Sequence, residues 1–496
     1  MADYELMNEP SQSQSWWRIA ALMALYMLTT IFVFLLWNSA YDTIYYPPDV
    51  QAVPDFWFRR ASLYANSVHE STLSHDFRLM KNQTARVKLH PSYSADSGLN
   101  GLGTLQQQQQ AQKVKPSAPQ LVKNAPPTMS TAPEVRLVCY YSVPDPDNEL
   151  DDLRLANVNA ELCTHINVGM VGVRNGQLII TDNMRRILSQ DVTVLRTINP
   201  ALKLLLWVGG GANSDGFPAM VKNHTTRKVF VHSVKQTLAM YKLDGIDLDW
   251  EFPSAYYKER QHFSQLIYEI RQEYRRERRD YLLTVAAAAP EGIAVFAYDV
   301  QMLNQYVDYV SLMTYDYHFY SHGTPFTGLN APLYARPNEG SLLGTLNINY
   351  SVNWWLNNGL DRKKLVVGLP TYGHSFTLVS SLNHGINAPA EGIGHCGSLG
   401  FTSYSELCWF NTHNILVHQA YDQSTCSPYL SSGSEWISYE NETSIACKAL
   451  YVKNHQLGGA MIFSLNTDDI KGYCPRAYKT KFPLVETVKS ILFGKS

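Results

Sequence analysis

The stretch "DGIDLDWEFP", residues 244–253, places Asp244, Asp247, Asp249 and Glu251 within eight positions. The last three acids alternate with Ile246, Leu248 and Trp250. Burying an unpaired charge is costly, so carboxylates are normally kept out of apolar runs. A period of two reads as a strand with two distinct faces. Asp247, Asp249 and Glu251 then project together, spaced about 6.5–7 Å along the strand. Ile246, Leu248 and Trp250 project the other way, into a helix layer. Glu251 comes last, near the carboxyl end of the strand, where barrel enzymes place their chemistry.

Three stacked carboxylates repel, so at least one keeps a proton near neutral pH. A protonated carboxyl beside an ionised one is what general acid catalysis requires. Two other readings stay open on spacing alone: a Mg²⁺ site on strand carboxylates and a purely structural acidic cluster. An EF-hand does not fit, because it needs a loop with Gly at its sixth position.

Eight short apolar runs surround this motif, at 135–141, 162–170, 202–210, 244–250, 281–289, 309–315, 364–370 and 458–465. Helical patterns fill most of the gaps. One is 256–280, whose "RRERR" reads as a solvated face. Near-continuous apolar strands alternating with helices indicate a parallel sheet covered by helices. Eight such units fit a closed (β/α)₈ barrel of the α/β class. An open doubly wound sheet competes, but "CYYSVPDPD" follows the first strand where a Gly-rich phosphate loop would stand. The gap at about 375–455 holds Cys396, Cys408, Cys426 and Cys447 and reads as a small inserted subdomain before strand eight.

The 496-residue chain has a formal charge of −2, which offers nothing to a nucleic acid. Its 31 Tyr and 10 Trp suit sugar stacking and a large ordinary core equally. Residues 19–37 form an uncharged apolar run with Trp16, Trp17, Trp37 and Tyr41 at its ends. As a helix it would span roughly 28 Å, about one bilayer core. A single-pass signal anchor is expected, with 1–18 as a cytoplasmic tail. The alternative is a cleaved signal peptide with a small-residue site at "NSA", 38–40. Arg18 precedes the span. All four N-x-S/T sequons, at Asn82, Asn223, Asn349 and Asn441, and all seven cysteines follow it. A type II topology with an extracellular or lumenal body accommodates both. Residues 38–134 contain "LQQQQQAQ", "KPSAP" and "NAPPTMSTAP" and read as a flexible stalk of roughly 55 Å root-mean-square reach.

The motif at 244–253 resembles the D-x-x-D-x-D-x-E signature of glycoside hydrolase family 18, the chitinases and chitinase-like proteins. The similarity extends over 135–490, through "LVCYY", "LCTHI", "LMTYDYH", "GLPTYGHSFTL" and "LGGAMIFSLNTDD". With its span and stalk, the chain resembles a membrane-anchored animal chitinase or chitinase-like protein of arthropod type. The resemblance implies a retaining, substrate-assisted hydrolysis of chitin or chitooligosaccharides, without metal or cofactor. Glu251 would be the general acid. Asp249 would turn to the substrate N-acetyl group, Asp247 would share its proton, and Asp244 would support the strand end. Tyr315, with Met313 and Asp316 beside it, would steady the acetamido group. Substrate contacts are expected from Tyr140, Phe463, Tyr372, Gly210 and Trp250. The family pattern also implies disulfides Cys139–Cys163 and Cys408–Cys474. Cys426–Cys447 is a further expected pair, leaving Cys396 free. A monomer is expected.

The chain departs from the family at several binding positions. Phe463 stands where a strand-eight Trp floors the catalytic subsite, and Gly211 where a Trp follows the strand-three glycines. Met170 replaces a Phe, His374 an Arg, and Pro144 and Ser321 two further Trp residues. The acid machinery is kept while the stacking platform is thinned. Slow turnover and weak action on crystalline chitin are therefore expected, with Phe463→Trp and Gly211→Trp raising activity if there is room for the rings.

Overall fold

In the computed structural model, the structure describes residues 135–144, 153–254, 258–475 and 481–494. The expected tail, membrane span and stalk, and Asn82, lie outside the described residues. Among the described residues no helix is long and apolar enough to cross a membrane.

Eight parallel strands form the centre: β1 (Arg136–Ser142), β2 (His165–Arg174), β3 (Lys203–Gly209), β4 (Gly245–Asp249), β5 (Leu282–Ala288), β6 (Tyr309–Met313), β7 (Leu365–Pro370) and β8 (Gly459–Phe463). Each pairs with the next, and β8 pairs back onto β1, so the sheet closes. Closure decides against the open doubly wound alternative. It also leaves no edge strand in the parallel sheet.

Strand residues sort by parity. Leu137, Cys139, Ile246, Leu248, Leu283 and Val285 join the barrel–helix layer, with Phe217, Phe230, Phe263 and Ile267 from the helices. Val138, Tyr140, Trp207, Tyr309, Met313, Val366, Met461 and Phe463 fill the interior. The alternation read in 244–253 thus holds around the barrel.

A second, antiparallel sheet begins immediately after β7. Its strands run from Tyr372–Leu378 to Glu435–Ser438. The insertion therefore starts at 372 and its sheet ends at 438, against the expected 375–455. The helix Glu442–Asn454 packs back on β7 and β8 and belongs to the barrel's outer layer. Its start is fixed by a buried Lys448–Glu440 ion pair, with Ser444 Oγ donating to the second Glu440 oxygen at 2.6 Å. All seven cysteines are described. Cys139–Cys163, Cys408–Cys474 and Cys426–Cys447 are bonded and Cys396 is a buried free thiol, as expected.

Candidate active site

β4 is five residues long and buried throughout. Its amino end is anchored by Asp244, which accepts from Arg196 Nη2 at 2.7 Å and from the Leu204 N–H at 2.9 Å. Asp244 thus supports the end of the strand opposite to its chemistry. Asp247 and Asp249 lie on the inner face and are 0% and 1% exposed. Glu251 lies two residues beyond the strand, so the three acids are not all strand residues as the spacing suggested. Its backbone N–H donates to Ser214 Oγ at 2.9 Å, and Ser214 Oγ donates to the Gly210 carbonyl at 3.1 Å. The turn after β3 therefore fixes where Glu251 emerges.

Asp247 is held from the adjacent strand β5 and, across the barrel interior, from β1. Tyr140 Oη of β1 donates to Oδ2 at 2.6 Å, and Thr284 Oγ1 of β5 donates to Oδ1 at 2.5 Å. Burial pushes the Asp247 carboxyl up to about 6, and the Thr284 and Tyr140 hydrogen bonds pull against that rise. Burial, with the nearby Asp247 and Asp249 charges, drives the Tyr140 hydroxyl far up, so it stays a donor. Asp249 accepts from Trp207 Nε1 at 2.8 Å through Oδ2, and its carbonyl accepts from the Gly210 N–H at 2.7 Å. Gly210 has φ of +88°, and a Cβ there would meet Met170 Sδ at 2.7 Å. Met170 Sδ ends a flexible side chain and can give way, so it is the positive φ that calls for glycine here.

The floor of the mouth is aromatic. Phe463, at the carboxyl end of β8, lies 5.6 Å from Tyr140, 5.6 Å from Tyr315, 5.8 Å from Trp207 and 6.3 Å from Tyr372 between ring centroids. Tyr315 follows β6, and Met313 is the last residue of that strand. Asp316 accepts from Tyr372 Oη at 2.5 Å and pairs with His374 Nε2 at 2.8 Å, both on the first strand of the insertion. His374, standing in place of the family's Arg, is thereby tied to Asp316. Ser321 is turned to its own loop, bonded to Thr324 Oγ1 at 2.7 Å.

The structure thus brings Asp247, Asp249, Tyr140, Gly210, Met313, Tyr315, Asp316, Tyr372 and Phe463 together at the carboxyl ends of the strands, with Glu251 emerging beside them. Trp250 is the exception. Its ring is 3% exposed, stacks on Phe217 at 5.4 Å and meets Phe263 edge-on at 5.7 Å, within the helix layer. It cannot touch a substrate at the mouth, because its strand parity is opposite to that of the acids. Thr284, Ser214 and Trp207 were missed from the sequence. The signal for Thr284 was a lone polar residue inside "LLTVAAA", in register with Asp247. Among the described residues, no group of three or more His, Cys, Asp or Glu side chains is arranged to hold a metal ion.

A closed parallel barrel with acids and aromatics converging at the carboxyl ends of its strands defines a (β/α)₈ protein of the glycosidase type. The chain belongs to glycosyl hydrolases family 18, whose profile matches residues 136–468. It is 33% identical to human chitinase-3-like protein 2 over 368 residues, covering 72% of this chain and 92% of that protein. It is 35% identical to mouse chitotriosidase-1 over 351 residues, covering 68% and 73%. Among solved structures, human YKL-39 is described as a pseudo-chitinase with retained chitooligosaccharide binding. It superposes with a TM-score of 0.68 at 33% identity, over 72% of this chain and 99% of that one. The Group IV chitinase of Ostrinia furnacalis, solved with allosamidin, superposes with a TM-score of 0.67 at 30% identity, over 72% and 99%.

Proposed function

We propose that this chain is a chitinase that cleaves β-1,4-linked N-acetylglucosamine oligomers with retention, using the substrate's own acetamido oxygen as nucleophile. The observation that carries this reading is the sequence of carboxyl environments along one strand. Asp247 is sealed and accepts from the Tyr140 and Thr284 hydroxyls, Asp249 is buried and accepts from the Trp207 indole, and Glu251 is half-buried at the mouth. Such a gradient of environments separates proton affinities, so one carboxyl can give a proton while its neighbour stays charged. In this scheme Glu251 protonates the glycosidic oxygen. Asp249, ionised, turns to accept from the acetamido N–H and stabilises the oxazolinium ion, while Asp247, its carboxyl pushed up by burial, keeps the pair's proton on its own side. Tyr315 steadies the acetamido oxygen over the Phe463 floor, flanked by Tyr140 and Tyr372.

A weakly active or silent oligosaccharide-binding protein is the second reading. It is favoured by the thinned platform, with Phe463 where a larger Trp face would stand and Gly211 and Ser321 where a ring would stand, and by the likeness to a pseudo-chitinase. Glu251 favours the enzyme, since silent members of the family typically replace that acid. Release of label from a chitooligosaccharide by the full chain, insensitive to EDTA, supports the enzyme. Binding without release supports the second reading, and activity lost on chelation revives the metal.

The proposed setting is a type II membrane protein with an extracellular or lumenal barrel. Three disulfides support the extracellular or lumenal placement, because such bonds persist in oxidising compartments.

A further inference from the structure

Trp207 is fully buried on the inner face of β3, in register with Asp247. Its ring meets Tyr140 edge-on at 4.9 Å and Phe463 edge-on at 5.8 Å. Two glycines make the space it occupies. A Cβ at Gly169 would lie 2.7 Å from Trp207 Cβ, and one at Gly210 would lie 3.2 Å from Cζ2. Fully buried and packed on these sides, the ring is held in place with its N–H on Asp249. A buried indole N–H needs an acceptor. Here the acceptor is Asp249 Oδ2, at 2.8 Å.

We infer that Trp207 is a positioning residue for the reaction: its indole N–H holds the Asp249 carboxylate ionised and turned toward β3 until a substrate acetamido group competes for it. The inference rests on the proposed substrate-assisted reading, in which Asp249 has to turn. A donor aimed at a carboxylate favours its charged form, so losing the donor makes Asp249 easier to protonate. The donor is also neutral, so Asp249 can leave it without parting from a countercharge. Titratable groups near Asp249 include Asp247 on its own strand, Glu251 just beyond it, Tyr140 from β1 and Tyr298, whose hydroxyl accepts from the Ala288 N–H at the end of β5. Both tyrosines are driven far up by burial and stay neutral through the acid range. The competing view is that Trp207 only fills the barrel.

Trp207→Phe in the full chain keeps a ring and removes the donor. The acid limb of kcat on a labelled chitooligosaccharide should then move up by about one pH unit, the size of one hydrogen bond to a charged acceptor. KM should change little. Trp207→His, which keeps a ring N–H, should reverse part of that shift. Two NMR readouts need no turnover. The Asp249 carboxyl carbon should titrate about one unit higher in Trp207→Phe. In the unaltered protein, the Trp207 indole proton should shift with the Asp249 titration, a readout that survives if the variant does not fold. A filler role predicts a lower melting temperature, an unmoved acid limb and a pH-independent indole resonance, and that outcome overturns the inference. Absence of hydrolysis by the unaltered protein would count against the chitinase reading alone, because both NMR tests would still stand.

Discussion

At the scale of single residues, Asp247 carries an unusual burden. Its carboxyl is pushed from 3.8 to about 6, first by burial, against the pull of Thr284 and Tyr140. Because the folded value lies above the unfolded one, the native state holds the proton more tightly in that interval. Stability from this group is therefore fully present below the unfolded value and is lost as pH rises through the folded one. The loss amounts to on the order of 2–3 kcal/mol. Asp247→Asn removes the buried charge and should raise the melting temperature more above pH 7 than near pH 4, while lowering turnover. An equal change at both pH values would contradict this account of its environment. The acids themselves were legible, because four carboxylates in eight positions of an apolar strand violate an ordinary packing rule. Trp207 was not legible, because one more aromatic in "LKLLLWVGG" reads as core. Only the register of β3 on β4 shows that it faces the acids.

At the scale of elements, the turn after β3 and the end of β8 decide the shape of the mouth. Gly210→Ala places a methyl group against Met170 Sδ at φ of +88°, beside the hydrogen bond that docks this turn on Asp249. The backbone strain should cost about 1–3 kcal/mol, read as a lower urea midpoint, and a neutral result would contradict the need for glycine at this φ. Phe463 is a revision of the sequence-based expectation. Four aromatic rings lie within 6.3 Å of its centroid, and its side chain is buried. Phe463→Trp should therefore overpack the floor, costing about 1–3 kcal/mol, and should not raise activity. A faster and equally stable variant would show that the floor yields. The eight strands were readable from their apolar runs. The insertion boundary was not, because "GLPTYGHSFTL" gives β7 and the first strand of the second sheet as one continuous run, broken only at Thr371.

At the scale of the whole molecule, the disulfide Cys408–Cys474 ties the insertion to the segment following β8 across 66 residues. Closing a loop of that length stabilises the fold by about 4 kcal/mol in a chain-entropy account. Cys408→Ser should lower the denaturation midpoint accordingly, and an unchanged midpoint would show that the insertion is held by packing alone. The proposed topology has its own readout. Asn223 is exposed and caps the helix His224–Tyr241, and glycan occupancy there or at Asn441 requires the barrel to be lumenal or extracellular. An aglycosyl chain labelled only from the cytoplasmic side would contradict it. On the proposed reading, the thinned platform should weaken binding at remote subsites by roughly 2–6 kcal/mol, the sum of three or four stacking contacts. Slow action on soluble oligomers and poor action on crystalline chitin should follow. The most direct measurement compares hydrolysis and binding of one chitooligosaccharide by the unaltered chain and by Glu251→Gln. Loss of turnover by 10²–10⁴-fold or more, on the order expected for removing a general acid, with binding retained, is the predicted result. Turnover near that of the unaltered chain would contradict the central claim that Glu251 is the proton donor.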